Sequence, residues 1–293
     1  MNTKIIIFAL SLLSLFSVQS QENQALTTAD KCKDKQIFDS YIIKKNNDKS
    51  DFNLSLVQTA LHFLNSPYES ATLENNKSEQ LVINLKAFDC MTFVENCLAL
   101  TKIANSEKPD FDNFKKELQT IRYRDEIING YTSRLHYTSD WIRNNEKKGI
   151  IKDITQTLNG IILPLHINFM STHPNLYPHL SSHPEDIEKM EQIENAINKH
   201  SYYYIPKEKI KACEKQIKSG DIICFVTSTK GLDISHLGIA FHKNNMLTFI
   251  HASTKAKKVI INPVSISDYC KSITSNKGII VLRMESGELR MEN

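Results

Sequence analysis

The spacing of apolar residues changes once along this chain, from a helical repeat to short runs typical of strands. Between residues 51 and 143, apolar side chains recur at three and four residues, as in Phe111, Phe114, Leu118 and Ile121. From Gly220 onward the apolar runs are short, and Gly, Asn, Lys and Ser bound them. Helices followed by antiparallel strands define an α+β protein. We therefore predict a helical part over about 51–200 and a β part over about 215–285.

The N-terminus has the features of a secretory signal peptide. Lys4 precedes an apolar run that begins at Ile5, and small residues stand three and one positions before the Ser20/Gln21 junction. The run is too short to span a bilayer. We predict a signal peptide over 1–20, an N-terminal extension over 21–50 and a single domain over 51–293. The mature protein is then exported, with no stable membrane insertion after cleavage.

Composition excludes some classes of partner. The formal net charge is +3, from 36 basic and 33 acidic residues. These charges are scattered along the chain, which is the pattern of a solvated surface and does not favour nucleic acid as a partner. The six cysteines contain no CxxC pair, so neither a zinc knuckle nor another metal site is predicted. Export favours disulfides, but spacing leaves their pairing open; Cys213 with Cys270 is one candidate.

Cys90 stands directly before an amphipathic helix. The apolar face of that helix carries Phe93, Val94, Cys97, Leu98 and Thr101. Asp89 is a favoured N-cap residue, which leaves Cys90 in the first turn, where the dipole and the unpaired N–H groups stabilise a thiolate. A single cysteine in this position is more often a buried core thiol, and that is our interpretation of Cys97.

A hairpin from His236 to Ser253 supplies a partner for Cys90. An even number of loop residues places His236 and His251 on the same face of the two strands, whereas three loop residues separate them. His236 shares its face with Gly238 and Ala240. Because these residues are small, we expect a helix to approach that face closely, and the helix carrying Cys90 is the candidate.

These three residues form the set that nucleophilic catalysis needs. Cys90 is the predicted nucleophile, His236 the base and then the acid, and His251 the residue that orients His236. Either histidine alone is better interpreted as a structural residue at a strand end. Their convergence with a cysteine at a helix start favours catalysis.

At this point the sequence resembles a known family. "DCMTFVE", "SHLGIA" and "FIHAS" are similar to the motif blocks of NlpC-type papain-like cell-wall cysteine peptidases. The block Ile121 to Asn145, together with "SGDII" and "GLDISHLGIA", resembles the N-acetylmuramoyl-L-alanine amidase branch of that superfamily. The resemblance covers about Asp51 to Arg283. One departure is Glu126, where we expect glycine. The implied fold is papain-like, with the helix of Cys90 packed on the antiparallel sheet.

The resemblance also implies a substrate and a setting. The substrate is an anhydro-muropeptide from peptidoglycan turnover, cut at the amide between the muramic lactyl group and L-alanine, with no cofactor. Export and this substrate together point to a Gram-negative periplasm, and we expect a monomer. Aromatic rings stack on sugars and polar groups bind them. We therefore assign part of the block Ile121 to Asn145, and the residue before Cys90, to substrate binding. These residues are Asp89, Tyr131, Arg134, His136, Tyr137 and Trp141.

A stretch rich in Pro and His, Pro164 to Pro184, reads as an irregular loop before a helix over about Pro184 to Lys199. The spacing of its histidines matches no common zinc pattern, so we predict exposed histidines and a segment that covers part of the cleft. They are His166, His173, His179 and His183.

Two other functions stay open at this stage. One is an endopeptidase of the same superfamily that cuts D-glutamyl-diaminopimelate bonds, and the other is a non-catalytic envelope-binding protein.

Overall fold

The computed structural model describes residues 33–45 and 52–285, so the predicted signal peptide lies outside the described residues. The α-helices are α1 (33–45), α2 (Phe52–His62), α3 (Cys90–Ala104), α4 (Phe111–Arg122), α5 (Thr138–Lys147), α6 (Phe169–Thr172), α7 (Pro178–Ser182), α8 (Pro184–Ile197), α9 (Ile210–Cys213) and α10 (Ile266–Ser272). The strands are β1 (Ile151–Asp153), β2 (Ile161–Leu163), β3 (Tyr202–Pro206), β4 (Ile222–Thr227), β5 (Ile234–Lys243), β6 (Met246–Ser253), β7 (Lys258–Ile261) and β8 (Asn276–Met284).

The strands form one antiparallel sheet. Its order is β2-β3-β8-β4-β5-β6-β7, with β1 also paired to β8. The predicted α+β class is confirmed, and the five strands expected after Gly220 appear as β4 to β8. The short strands β1, β2 and β3 were not predicted, since three to five residues show no periodicity.

The two faces of the sheet bury different cores because successive strand residues point to opposite faces. On one face, Cys224, Leu237 and Ile239 join Phe93 and Val94 of α3 in the first core. On the other, strand residues meet side chains of α9 and α10 in a second core, which includes Phe225, Ala240, Phe249, Ile210 and Ile266.

This arrangement corrects one sequence prediction. Helix α3 packs on the face that carries Leu237 and Ile239, whereas Ala240 faces the second core. The small residues on the other face instead leave space for side chains of the neighbouring hairpin strand. A Cβ at Gly238 would lie 2.6 Å from Cδ2 of Phe249 and 3.1 Å from Cβ of His251. The small residue therefore makes room for these two side chains.

The predicted N-terminal boundary at residue 51 is also wrong. Helix α1 lies within the segment assigned to an extension, yet Phe38 and Tyr41 are 1% and 2% exposed in the first core. In addition, the Asp34 carboxylate accepts a hydrogen bond from the Leu85 backbone N–H at 2.8 Å. The helix is therefore an integral part of the domain. No helix in the described part of the chain is long and apolar enough to cross a membrane.

Candidate active site

A capping box fixes the start of α3. The Asp89 carboxylate accepts from the Thr92 backbone N–H at 2.7 Å, and the Asp89 N–H donates to the Thr92 hydroxyl at 3.0 Å. Two backbone N–H donors at the start of the helix are satisfied in this way. Cys90 is consequently the first residue of the helix, as predicted, and its side chain is half-buried. The carboxylate of Asp89 is committed to this cap.

The protonation of Cys90 differs from the sequence expectation. Burial and, as a smaller cause, the neighbouring Asp89 carboxylate together raise the pKa of the thiol to about 12. The backbone N–H groups of Leu237, Cys90 and Met91 act in the opposite direction. The helix terminus does favour the thiolate, but loss of solvent is the larger effect. The resting group is therefore a thiol.

The hairpin brings the two histidines together. Asn244 and Asn245 form its two-residue turn, both with positive φ (49° and 64°), between the paired residues Lys243 and Met246. This even register confirms that the imidazoles share a face as diagonal neighbours. Nε2 of His236 lies 2.6 Å from Nδ1 of His251.

Aromatic side chains enclose the imidazole pair. The ring of Tyr269 lies 6.2 Å from that of His236, and the ring of Phe249 lies 4.4 Å from that of His251. Burial lowers the pKa of His236 to about 4 and, together with His236, that of His251 to about 3. Both rings are therefore neutral at neutral pH, and a neutral imidazole can accept a proton.

Two contacts relate Cys90 to this pair. The Leu237 N–H that lowers the thiol pKa belongs to the residue directly after His236. Tyr269, whose ring lies beside His236, has a pKa raised first by burial and then by Cys90. The start of α3 thus lies at the end of β5 that carries the histidine. Cys97, in contrast, is fully buried in the first core, as predicted.

The structure corrects the assignment of Trp141 and Tyr137 to sugar stacking. Trp141 is 0% exposed within the first core. Tyr137 is 3% exposed, its hydroxyl donates to Glu194 at 2.6 Å, and it accepts from the Met170 N–H at 2.8 Å. Neither ring has a face available to a ligand.

Tyr131 and Arg134 line a pocket of about 190 Å³. Arg134 forms ion pairs with Glu74 at 2.8 Å and Glu79 at 3.2 Å, and its guanidinium lies over the Tyr131 ring. His136 lies behind this pocket, with Nε2 at 2.8 Å from the Tyr131 carbonyl oxygen, and burial lowers its pKa well below the usual range. Their role in substrate binding stays a prediction.

The histidine-rich segment closes one wall of this pocket. The rings of Tyr131, His179 and His183 form a stack with centroid separations of 4.3 and 4.2 Å. His166 and His173 are exposed, as predicted, but His179 and His183 are half-buried. Across the described ranges, no group of three His, Cys, Asp or Glu side chains is placed to hold a metal ion. Two short helices, α6 and α7, interrupt the predicted loop.

Glu126 keeps the backbone conformation of the expected glycine. Its φ is +64°, a value that residues with a side chain adopt only with strain. Gln119 donates to the Glu126 carbonyl oxygen at 2.8 Å, and the Thr120 hydroxyl donates to its carboxylate at 3.2 Å. These local bonds hold the turn despite the substitution.

Sequence analysis missed two tyrosines near Cys90. Tyr68 and Tyr269 are half-buried, and burial raises the pKa of both hydroxyls, with Cys90 as a second cause. The only sequence signal for Tyr68 is its position before the cysteine helix, and Tyr269 comes from α10, far along the chain. Cys213 and Cys270 are both free thiols, so the candidate disulfide between them is wrong.

Comparison with known proteins places the chain in a family. A model of AmiA-like, N-acetylmuramoyl-L-alanine amidase-like proteins matches residues 58–279. The chain therefore belongs to this AmiA-like amidase family. No curated protein matches it.

Solved structures agree with this membership. An N-acetylmuramoyl-L-alanine amidase from Bacteroides uniformis is 40% identical with a TM-score of 0.77, covering 80% of this chain and 100% of its own. A Bacteroides fragilis protein named as a candidate xylanase is 41% identical with a TM-score of 0.74, covering 78% and 100%. A Legionella pneumophila protein, 24% identical with a TM-score of 0.69 and coverage of 88% and 96%, shares the fold.

Proposed function

We propose that this protein is a cysteine-dependent N-acetylmuramoyl-L-alanine amidase that releases stem peptides from anhydro-muropeptides. The observation that carries the proposal is that the capped Cys90 interacts with the backbone N–H of Leu237. Leu237 directly follows His236, whose Nε2 lies 2.6 Å from Nδ1 of His251. Family membership supports the bond that is cut. The resemblance to NlpC-type motifs supports a papain-like fold, the anhydro-sugar and a periplasmic site of action.

Acylation begins from a neutral thiol and a neutral imidazole. As Sγ of Cys90 attacks the lactyl carbonyl carbon, the thiol proton passes to Nδ1 of His236, whose Nε2 contacts His251. The negative charge on the carbonyl oxygen is stabilised by donors such as the Cys90 backbone N–H. His236 then protonates the alanine nitrogen, the C–N bond breaks, and the stem peptide leaves with a free amine.

Deacylation repeats these steps with water. The muramic acyl group is now a thioester on Cys90. His236 takes a proton from water, the hydroxide attacks the thioester carbonyl, and the proton returns to the sulfur as the C–S bond breaks. The products are a free lactyl carboxylate and the original thiol.

The pocket beside Tyr131 is the proposed contact for a polar part of the substrate. Arg134 is 6% exposed and held by two carboxylates, so its N–H groups have fixed directions. Stacked rings of Tyr131, His179 and His183 form one wall. Such a rigid polar surface suits a sugar or a peptide backbone.

The test incubates the mature protein with a purified anhydro-muropeptide and identifies products by mass spectrometry. We expect intact disaccharide and intact stem peptide. Cys90→Ala should reduce release to the background rate, while Cys97→Ala, which removes a buried thiol on the same helix, should retain activity.

Other products would decide among the alternatives. Cleavage inside the stem peptide would replace the amidase with a D-glutamyl-diaminopimelate endopeptidase using the same residues. Xylan is included in the assay as a further test compound, because one similar structure carries the name of a xylanase. No cleavage of any of these would favour a non-catalytic binding protein.

A further inference from the structure

The outer nitrogen of His251 lies buried without a hydrogen bond. Its Nδ1 faces His236 at 2.6 Å, whereas its Nε2 has no partner within the described structure. A buried polar nitrogen without a partner costs free energy, on the order of 1–3 kcal/mol. The tautomer of His251 also determines which nitrogen of His236 carries a proton, so the group facing Nε2 matters for the chemistry.

The register of the sheet places one polar candidate on the same face. His251 pairs with Ile260, and the Asn262 N–H donates to the Phe249 carbonyl oxygen at 2.8 Å. Asn262 is thus the diagonal neighbour of His251. Polar side chains can bridge the distance between two diagonal neighbours. The diagonal neighbour in the other direction, Lys258, is exposed and donates to Asn65.

The orientation of the Asn262 amide favours an acceptor towards His251. Its Nδ2 donates to the Val264 carbonyl oxygen at 2.8 Å, which leaves Oδ1 as the other end of the amide. The side chain is 6% exposed, and the Thr248 hydroxyl donates to the Asn262 carbonyl oxygen, so the residue is held firmly. The amide also raises the pKa of His251 against the effect of burial, as an acceptor does.

We propose that Asn262 is a positioning residue for the catalytic pair, accepting a hydrogen bond from Nε2–H of His251. His251 is then protonated on Nε2 and bare on Nδ1, and Nδ1 accepts the proton of Nε2–H of His236. Nδ1 of His236 is left with a lone pair for the Cys90 thiol proton. In the opposite tautomer Nδ1 of His236 carries a proton and cannot act as a base. This inference rests on the proposed function.

Two variants isolate the acceptor oxygen. Asn262→Leu and Asn262→Asp both lose the donor to Val264, but only the aspartate keeps an oxygen facing His251. We expect Asn262→Leu to lower kcat by about 10- to 100-fold, the range typical of residues that orient active-site groups, with KM little changed. Asn262→Asp should remain within about fivefold of the parent protein. Thermal unfolding of both variants shows whether they fold.

Nitrogen-15 NMR of the histidine rings tests the tautomers directly. We expect protons on Nε2 of both His236 and His251 in the parent and in Asn262→Asp, and a mixture of tautomers in Asn262→Leu. Equal rates in the two variants, or unchanged tautomers in the leucine variant, would overturn the proposal. If the parent cuts no muropeptide, the proposed function fails, but the ring tautomers and the alkylation rate of Cys90 still test Asn262.

Discussion

At the scale of single residues, burial outweighs every other influence on the candidate catalytic groups. The helix N-terminus lowers the pKa of Cys90, yet loss of solvent raises it to about 12. The same cause lowers the pKa of His236 to about 4. Each group is held in its neutral form, which suits a mechanism in which one proton moves as the substrate is attacked.

The acid limb of the activity profile follows from these values. Because the pKa of His236 lies near 4, the imidazole remains a base well below its ordinary value of 6.5. We expect kcat/KM to fall only as pH approaches about 4 to 5, measured with a muropeptide over pH 3.5–8. A limb centred on 6.5 would show that His236 is solvated in the free enzyme.

Stability should depend on pH with a defined sign. The unfolded chain binds a proton at His236 below about 6.5, whereas the folded chain binds it only near 4. The free energy of unfolding is therefore unaffected by this group above 6.5 and falls with pH below it, by about 3 kcal/mol at most. Urea unfolding at several pH values measures the slope, and His236→Gln should reduce it, leaving the part that His251 contributes. If the variant and the parent showed the same slope, the pH dependence of stability would not come from His236.

At the scale of elements, two short features position the candidate catalytic residues. The capping box at Asp89 sets which residue begins α3. The two-residue turn at Asn244 sets the register of β5 on β6. A shift of one residue in either element would turn Cys90 or one histidine away from the others.

The cap can be separated from the chemistry with a matched pair of variants. Asp89 caps α3, and Asp110 caps α4 through the Asn113 N–H at 2.8 Å. Asp89→Ala and Asp110→Ala should each cost about 1 kcal/mol of stability by urea unfolding. Only Asp89→Ala should change the rate at which iodoacetamide alkylates Cys90. Asp89→Asn keeps a cap without the charge that raises the thiol pKa, so alkylation should become faster.

The hairpin gives a second element-scale prediction. A methyl group at Gly238 would meet Phe249 and His251, and one at Gly278 would lie 2.0 Å from the Ile205 carbonyl oxygen, away from the site. Gly238→Ala and Gly278→Ala should both destabilise the protein, by about 1–3 kcal/mol or more. Only Gly238→Ala should alter the NMR signals of the imidazole pair. Unchanged signals would mean that β6 accommodates the methyl group without moving His251.

At the scale of the whole molecule, the candidate site lies at the end of β5, where the layers packed on the two faces of the sheet meet. Helix α3 covers one face of the sheet, and the histidines project from the other face beside α10. Cys90 belongs to the first layer and the imidazole pair to the second. The end of β5 is where they come together, through the backbone N–H of Leu237.

Helix α1 should behave as part of this assembly. Phe38 is 1% exposed against Phe111 and Phe114, whereas Ile43 on the same helix is 73% exposed. Phe38→Ala should cost about 3–5 kcal/mol of stability, and Ile43→Ala almost nothing, by urea unfolding. If both variants lost little stability, α1 would be a separate N-terminal extension, as predicted from the sequence.

Local pattern was sufficient to predict much of the protein. Alternating or helical spacing identified α3, α4, α8 and the strands β4 to β8, because these elements are long enough to repeat their period. Asp89 as a cap also followed from its neighbours in sequence. The shared face of the two histidines followed only on condition of an even loop length, which the register of β5 on β6 supplied.

Only the tertiary structure decided what depends on distant contacts. Burial of Trp141 and Tyr137, the docking of α1, and the face of the sheet that α3 covers all arise from residues far apart in the chain. The protonation of Cys90 belongs to the same group, because solvent access is a property of the packed molecule. The sequence alone therefore determined which residues are candidates for the chemistry and on which elements they stand. Packing determined their environment, since desolvation has no local signature in sequence.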